Sequence, residues 1–169
     1  MRGASRILAA GLFGLLLWGD AAGAFSADPP DTGAAQSLPL APLTVDTGKG
    51  AVVLRVQVAD TDVTRQTGLM YRRSMPEKEG MLFIFQQVHP VAFWMKNTLL
   101  SLDILFIDDA GRVMNIARGT KPFSLEPIPA DGPTRAVLEL NAGASARLGI
   151  EVGDRVHYKA LSRPLPAPP

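Results

Sequence analysis

The chain has 169 residues, 47% of them apolar and 20% charged, with a formal net charge of +1. That length suits one domain with a core of its own, and hardly two. There is no cysteine, which excludes disulfides, thiolate metal sites, a cysteine nucleophile and a lipid-modified cysteine, and the near-neutral charge supplies no bulk field to hold a nucleic-acid backbone or an anionic membrane.

Arg2 and Arg6 precede an apolar run from Ile7 to Trp18, and Ala22-Gly23-Ala24 follows it. A positive start, a short apolar stretch and a small-residue exit make a secretory signal over residues 1–24. The run falls short of the roughly 17 residues that cross a bilayer comfortably. An uncleaved anchor is the competing reading. Without an adjacent arginine pair, Sec-type export is expected over the twin-arginine route. Cleavage after Ala24 would leave a periplasmic or secreted protein without a membrane span. Loss of Arg2, Arg6 and Asp20 would balance its basic and acidic residues. Residues 25–42 are rich in Ala, Pro, Ser, Gly and Asp and read as a flexible tether. A single domain is expected over 43–163, and 164–169 is a proline-rich tail.

Within the domain, Ala51 to Val58 alternates apolar and polar residues, as a half-buried strand does. Asp60 and Thr61 are capping candidates for a helix over Asp62 to Arg73. Gly68 inside it costs roughly 1 kcal/mol against alanine, so something should need close approach there. Gly80 to Phe85 and Val91 to Met95 are continuous apolar runs, expected as two strands buried on both faces. Leu102 to Ile107 is a strand, Asp108 to Gly111 a turn, and Arg112 to Arg118 the returning strand of a hairpin. Arg135 to Leu140 is strand-like. Asn141 can cap a short helical turn from Ala142 to Leu148, stopped by Gly149. Val156, Tyr158 and Ala160 alternate in a last strand. The pattern predicts a mainly β domain, a β-sandwich or small barrel-like fold with two short helices. Most connections are too short for parallel crossovers.

Five blocks carry a resemblance: Thr64 to Arg72, Gly80 to Phe85, Phe93 to Thr98, Leu102 to Ile104 and Val137 to Gly143. In this order they resemble the prokaryotic domain-of-unknown-function family 192, over nearly all of Thr44 to Tyr158. The resemblance implies a compact β-sandwich-like domain, often behind a signal sequence. It implies no established activity, and no catalytic residue can be carried over from it.

Several constellations could bear chemistry. Arg65 and Arg72 would stack about 10 Å apart on one helix face and could clamp a carboxylate, phosphate or sulfate. They could equally lie on a solvated face or pair with Asp103 or Glu139. Asp103 and Glu139 each stand among apolar strand neighbours, which is costly for an unpaired carboxylate. As a pair they could act as acid and base on an envelope polymer. Alternatively, each simply accepts hydrogen bonds. Trp94 with Lys96, Asn97 and Thr98 offers a stacking plane beside polar groups, suited to a sugar or peptide, or else forms a core residue and a turn. Met70, Met75, Met81, Met95 and Met114, with His89, raise Cu(I) binding as a lesser reading, against methionine as core filler. No other metal site, no nucleotide motif and no serine nucleophile elbow is present, and no cofactor is expected.

These readings combine into an exported envelope module that binds a ligand or polymer through Arg65, Arg72, Trp94, Asn97 and Asp103. A glycan or another envelope protein is the expected partner, and nucleic acid is not. The first alternative is a hydrolase or lyase using Asp103 and Glu139. Convergence of Arg65, Arg72, Asn97, Asp103 and Glu139 on one open pocket would support a site.

Overall fold

The computed structural model describes residues 33–162. The expected signal segment, the start of the expected tether and the proline-rich tail lie outside the described residues. The chain order is β1 (Leu40–Thr47), β2 (Gly50–Ala59), α1 (Asp62–Thr67), β3 (Glu79–Phe93), β4 (Leu102–Ile107), β5 (Val113–Ala117), β6 (Ile128–Asn141), α2 (Ala144–Leu148) and β7 (Arg155–His157). The strands form one seven-stranded sheet in the order β5-β4-β6-β3-β2-β1-β7.

The sheet curls until its two edges meet. Arg112, just before β5, bridges to Arg155 in β7. The Val113 amide donates to Asp154 O at 2.9 Å, and the Val156 amide to Gly111 O at 2.8 Å. Closure of this kind uses up edge groups that would otherwise invite pairing with another chain.

Strand alternation then sorts the core into two. Leu43, Val45, Leu54, Val56, Leu82, Leu105 and Leu138 face the inside of the curl. Met81, Phe83, Leu102, Ile104, Phe106 and Val137 face the other way, under Leu69, Met75 and Met95 from the connecting segments. The middle strands are therefore covered on both faces, and all six residues of β4 are buried. Each large side chain so buried contributes about 1.5–3 kcal/mol of transfer free energy.

Several elements differ from expectation for local reasons. β1 starts at Leu40, inside the stretch expected as tether. Its Pro42 is tolerated because β7 pairs only with Thr44, Val45 and Asp46, leaving β1 an edge at Pro42. The two apolar runs from Gly80 to Met95 belong largely to one strand, β3, whose register against β6 shifts between Ile84 and His89 and again between Pro90 and Ala92. Those irregularities carry Pro90 through a continuous strand. β2 and β3 pair in parallel, so one crossover does occur, and its connection contains α1. α1 ends at Thr67, where Gly68 closes it at φ 48°. α2 is entered through Gly143 at φ 77°. Asn141 instead spends its side chain on Met75 O at 2.8 Å. β7 ends at His157, and Tyr158 is buried just beyond it.

Candidate functional site

The parallel crossover leaves a cleft on the outer face of the sheet. One wall is α1 with Gly68, Leu69, Met70 and Tyr71; the other runs from His89 to Thr98; Phe83, Phe85 and Glu139 lie between them. The cleft holds about 490 Å³, within the range of small-molecule sites.

Its walls are strongly aromatic. Phe83 meets Phe93 edge to face at 5.0 Å, and Phe93 meets Phe106 in the same way at 6.0 Å. Phe85 meets His89 at 5.2 Å. The close approach anticipated at Gly68 is real: a Cβ there would sit 3.3 Å from the Phe83 ring. Tyr71 and Asn97 both adopt positive φ, 61° and 54°. They clasp each other, Tyr71 N donating to Asn97 O at 2.9 Å and Asn97 Nδ2 to the Tyr71 hydroxyl at 2.6 Å. Left-handed backbone at a bulky residue such as tyrosine costs about 1–3 kcal/mol and persists only where surrounding contacts hold it.

Glu139 is the polar group inside this apolar setting. It alternates with Leu138 and Leu140, which face the inside of the curl, so its side chain points to the outer face and lines the cleft. It is 4% exposed. Burial pushes its carboxyl up to about 8. At neutral pH most molecules therefore carry it protonated, and among the described residues no donor reaches it.

Asp103 has the opposite situation. It shares a face with Leu105 and Ile107, toward the inside of the curl, and is fully buried. Its Oδ1 accepts from Gly119 N at 3.0 Å. Its Oδ2 accepts from Ser145 N at 3.1 Å and Ser145 Oγ at 2.6 Å. Burial raises its carboxyl pKa, but the Ser145 hydroxyl and the amides of Gly143, Gly119 and Ser145 outweigh that, and the net direction is down. Asp103 thus ties α2 and the segment after β5 to the sheet. It lines no part of the cleft, and the sheet itself separates it from Glu139, so the two carboxyls cannot share one substrate.

The other expected site residues divide. Trp94, Arg65 and Asn97 line the cleft with Glu139. Trp94 is 55% exposed at its mouth, with Lys96 Nζ 5.9 Å from the ring centroid. Arg65 lies over the Phe85 ring at 5.6 Å. Its guanidinium donates to Asp60 O and Ile84 O, both at 2.7 Å, and to Asp62 at 2.5 Å. Arg72 turns away and fastens the leading segment, donating to Gln36 O at 3.0 Å and Gln57 Oε1 at 2.8 Å. The arginine pair therefore forms no anion clamp.

Met75, Met81 and Met95 pack in the outer core, with Thr120 Oγ1 donating to the Met95 sulfur at 3.2 Å. Among the described residues no group of three or more His, Cys, Asp or Glu is placed to hold a metal. No helix among them is long and apolar enough to cross a membrane.

Sequence reasoning passed over Tyr71, Phe83, Phe85 and Phe93 as cleft residues. A signal for two of them was present. Met81, Phe83 and Phe85 alternate within Gly80 to Phe85 and share one face, and the register pairs Met81 with Glu139. Tyr71 gave no such signal, because its position depends on where α1 stops.

Fold and cleft together define a small β-rich domain built on one curled sheet, with two short helices and an aromatic cleft on the outer side. The chain belongs to the DUF192 family, described as "Uncharacterized ACR", whose pattern matches residues 43–158. Two solved structures are similar to it. A protein of unknown function from Novosphingobium aromaticivorans is 42% identical with a TM-score of 0.70, the match covering 78% of this chain and 91% of that one. A candidate transcription regulator from Sinorhizobium meliloti is 41% identical with a TM-score of 0.70, over 73% of this chain and 97% of that one. Among curated proteins, none matches the chain.

Proposed function

We propose that this protein is an exported binding module that takes a small ligand, or the end of a polymer, into the cleft between α1 and the His89 to Thr98 segment. The observation that carries the reading is Glu139: a side chain 4% exposed that lines an open aromatic cleft, its carboxyl taking no hydrogen bond from a described residue. A buried polar group without a partner costs about 1–3 kcal/mol. Such a cost is offset when a ligand supplies the missing contact. The strained Tyr71–Asn97 clasp beside it and the exposed Trp94 support the same location. The leader pattern supports export.

The acid–base pair of Asp103 and Glu139 is withdrawn, since the two carboxyls lie on opposite faces. A nucleic-acid role, suggested by the name of the Sinorhizobium relative, finds less support. The longer described helix has six residues, too few to lie along a major groove as a reading helix does.

The test is a thermal-shift screen of sugars, peptides, amines and carboxylates against the mature protein, repeated with Trp94→Ala and Phe93→Ala. Compounds that raise the wild-type Tm should lose their effect in at least one variant. A screen in which no compound class shifts Tm, or in which every shift survives both substitutions, would sink the reading.

A further inference from the structure

We infer that the cleft is a cation site, built to take an organic ammonium group against Glu139 with its apolar substituents among Tyr71, Phe83, Phe93 and Trp94. The inference rests on the ligand-binding reading above and specifies its chemistry.

Glu139, 4% exposed and with no donor among the described residues, offers carboxyl oxygens, and five Phe, Tyr and Trp side chains share its cleft. Ring faces carry negative charge density and attract a cation placed over them, more so where water is excluded. An ammonium ion bearing apolar substituents satisfies both features at once. It supplies the counter-charge for Glu139 in the ionised form that binding produces, and its alkyl groups cover ring surface. A carboxylate ligand or a neutral sugar can take a hydrogen bond from the protonated carboxyl, but neither brings positive charge to the ring faces.

The cations already in the lining do not fill this role. Arg65 is committed to Asp60 O, Ile84 O and Asp62. Lys96 is exposed at the mouth, its Nζ 5.9 Å from the Trp94 ring centroid. The remaining titratable groups besides Tyr71 are Asp62, with its carboxylate on Arg65, and His89, against Phe85; both are exposed. Glu139 is therefore the deep ionisable group that an entering cation would meet.

Binding has a proton balance. A quaternary ammonium brings no proton of its own. Seating it drives ionisation of the Glu139 carboxyl, O–H breaking and the proton passing to buffer, so complex formation releases one proton in the pH range where the free protein is protonated.

The experiment is isothermal titration calorimetry on the mature protein at pH 7 with choline, with benzyltrimethylammonium, and with 3,3-dimethylbutanol as the uncharged counterpart of choline. Each is run in two buffers of different ionisation enthalpy. The expected result is at least tenfold tighter binding of the cations than of the alcohol, with close to one proton released per cation. Glu139→Gln should abolish both the preference and the release. Equal or tighter binding of the alcohol, or cation binding without proton release, overturns the cation assignment while leaving the cleft a ligand site. Binding of none of the three also overturns it, and the broader screen above then decides separately whether the cleft takes any ligand. If Glu139→Gln lowers yield, Trp94→Ala serves as second variant: it should weaken cation binding severalfold with proton release per bound cation unchanged.

Discussion

At the scale of single residues, two buried carboxyls show how surroundings divide one chemical group into two roles. Asp103 is surrounded by donors and stays ionised; Glu139 lacks them and keeps its proton. The consequence for stability has a definite sign. Between an ordinary glutamate near 4.5 in the unfolded chain and about 8 in the folded one, the native state holds a proton that the unfolded state has lost. The contribution of Glu139 is thus fully present below pH 4.5 and is lost as pH rises through 8, with a slope of up to about 1.4 kcal/mol per unit. Denaturant melts of the wild type at a series of pH values should show that decline, and Glu139→Gln should flatten it. Asp103, lowered instead, contributes stability that is present above its unfolded value and lost as pH falls through its folded one. Ser145→Ala removes its 2.6 Å hydroxyl donor and should cost about 1–3 kcal/mol, read as a lower denaturation midpoint, with binding in the cleft unchanged.

At the scale of elements, glycines mark where backbone comes closest. A Cβ at Gly80 would lie 2.5 Å from Glu139 O, a contact between two central strands that cannot part without breaking their ladder. Gly80→Ala should therefore destabilise by about 2–3 kcal/mol, measurable as a loss of Tm. Gly68→Ala meets a ring edge at 3.3 Å and must also hold a φ of 48° that strains any side chain, so it too should destabilise, with the disturbance falling on the cleft wall. The close approach at Gly68 was legible from sequence because a glycine in a helical pattern has a known cost. So were β2, β4 and the β4–β5 hairpin, whose alternation or turn chemistry is local. The unity of β3 was not legible: Pro90 reads as a break, and only pairing with β6 on both sides of the irregularities carries the strand past it. β1 was hidden for a similar reason, its proline tolerated by an edge that sequence does not reveal. Asp103 and Glu139 were both recognisable as unusual residues in apolar strands. Which of them was satisfied depended on Gly119 and Ser145, distant in sequence from Asp103.

At the scale of the whole molecule, the proposed export and the observed closure of the sheet each lead to a measurement. Full-length protein produced in a bacterial host with a C-terminal tag should be recovered from the periplasmic or extracellular fraction with Phe25 as its first residue, by intact-mass measurement. Recovery of the uncleaved chain in the membrane fraction would point instead to an anchor. Removing residues 152–162 takes away β7 and its link to Arg112. That should leave the β1 and β5 edges unpaired and shift the elution profile of the intact protein toward aggregates. The leading segment adds a practical point about tags. Ala34 lines the cleft, and two residues later Gln36 bonds the carbonyls of Thr64 and Gly68 at 2.9 and 2.8 Å. Whatever precedes Gly33 in the polypeptide is therefore joined to it beside the opening, whereas no described residue after Glu139 lines it. Fusion partners and surface-immobilisation handles belong at the carboxyl end; at the amino end they would crowd the doorway.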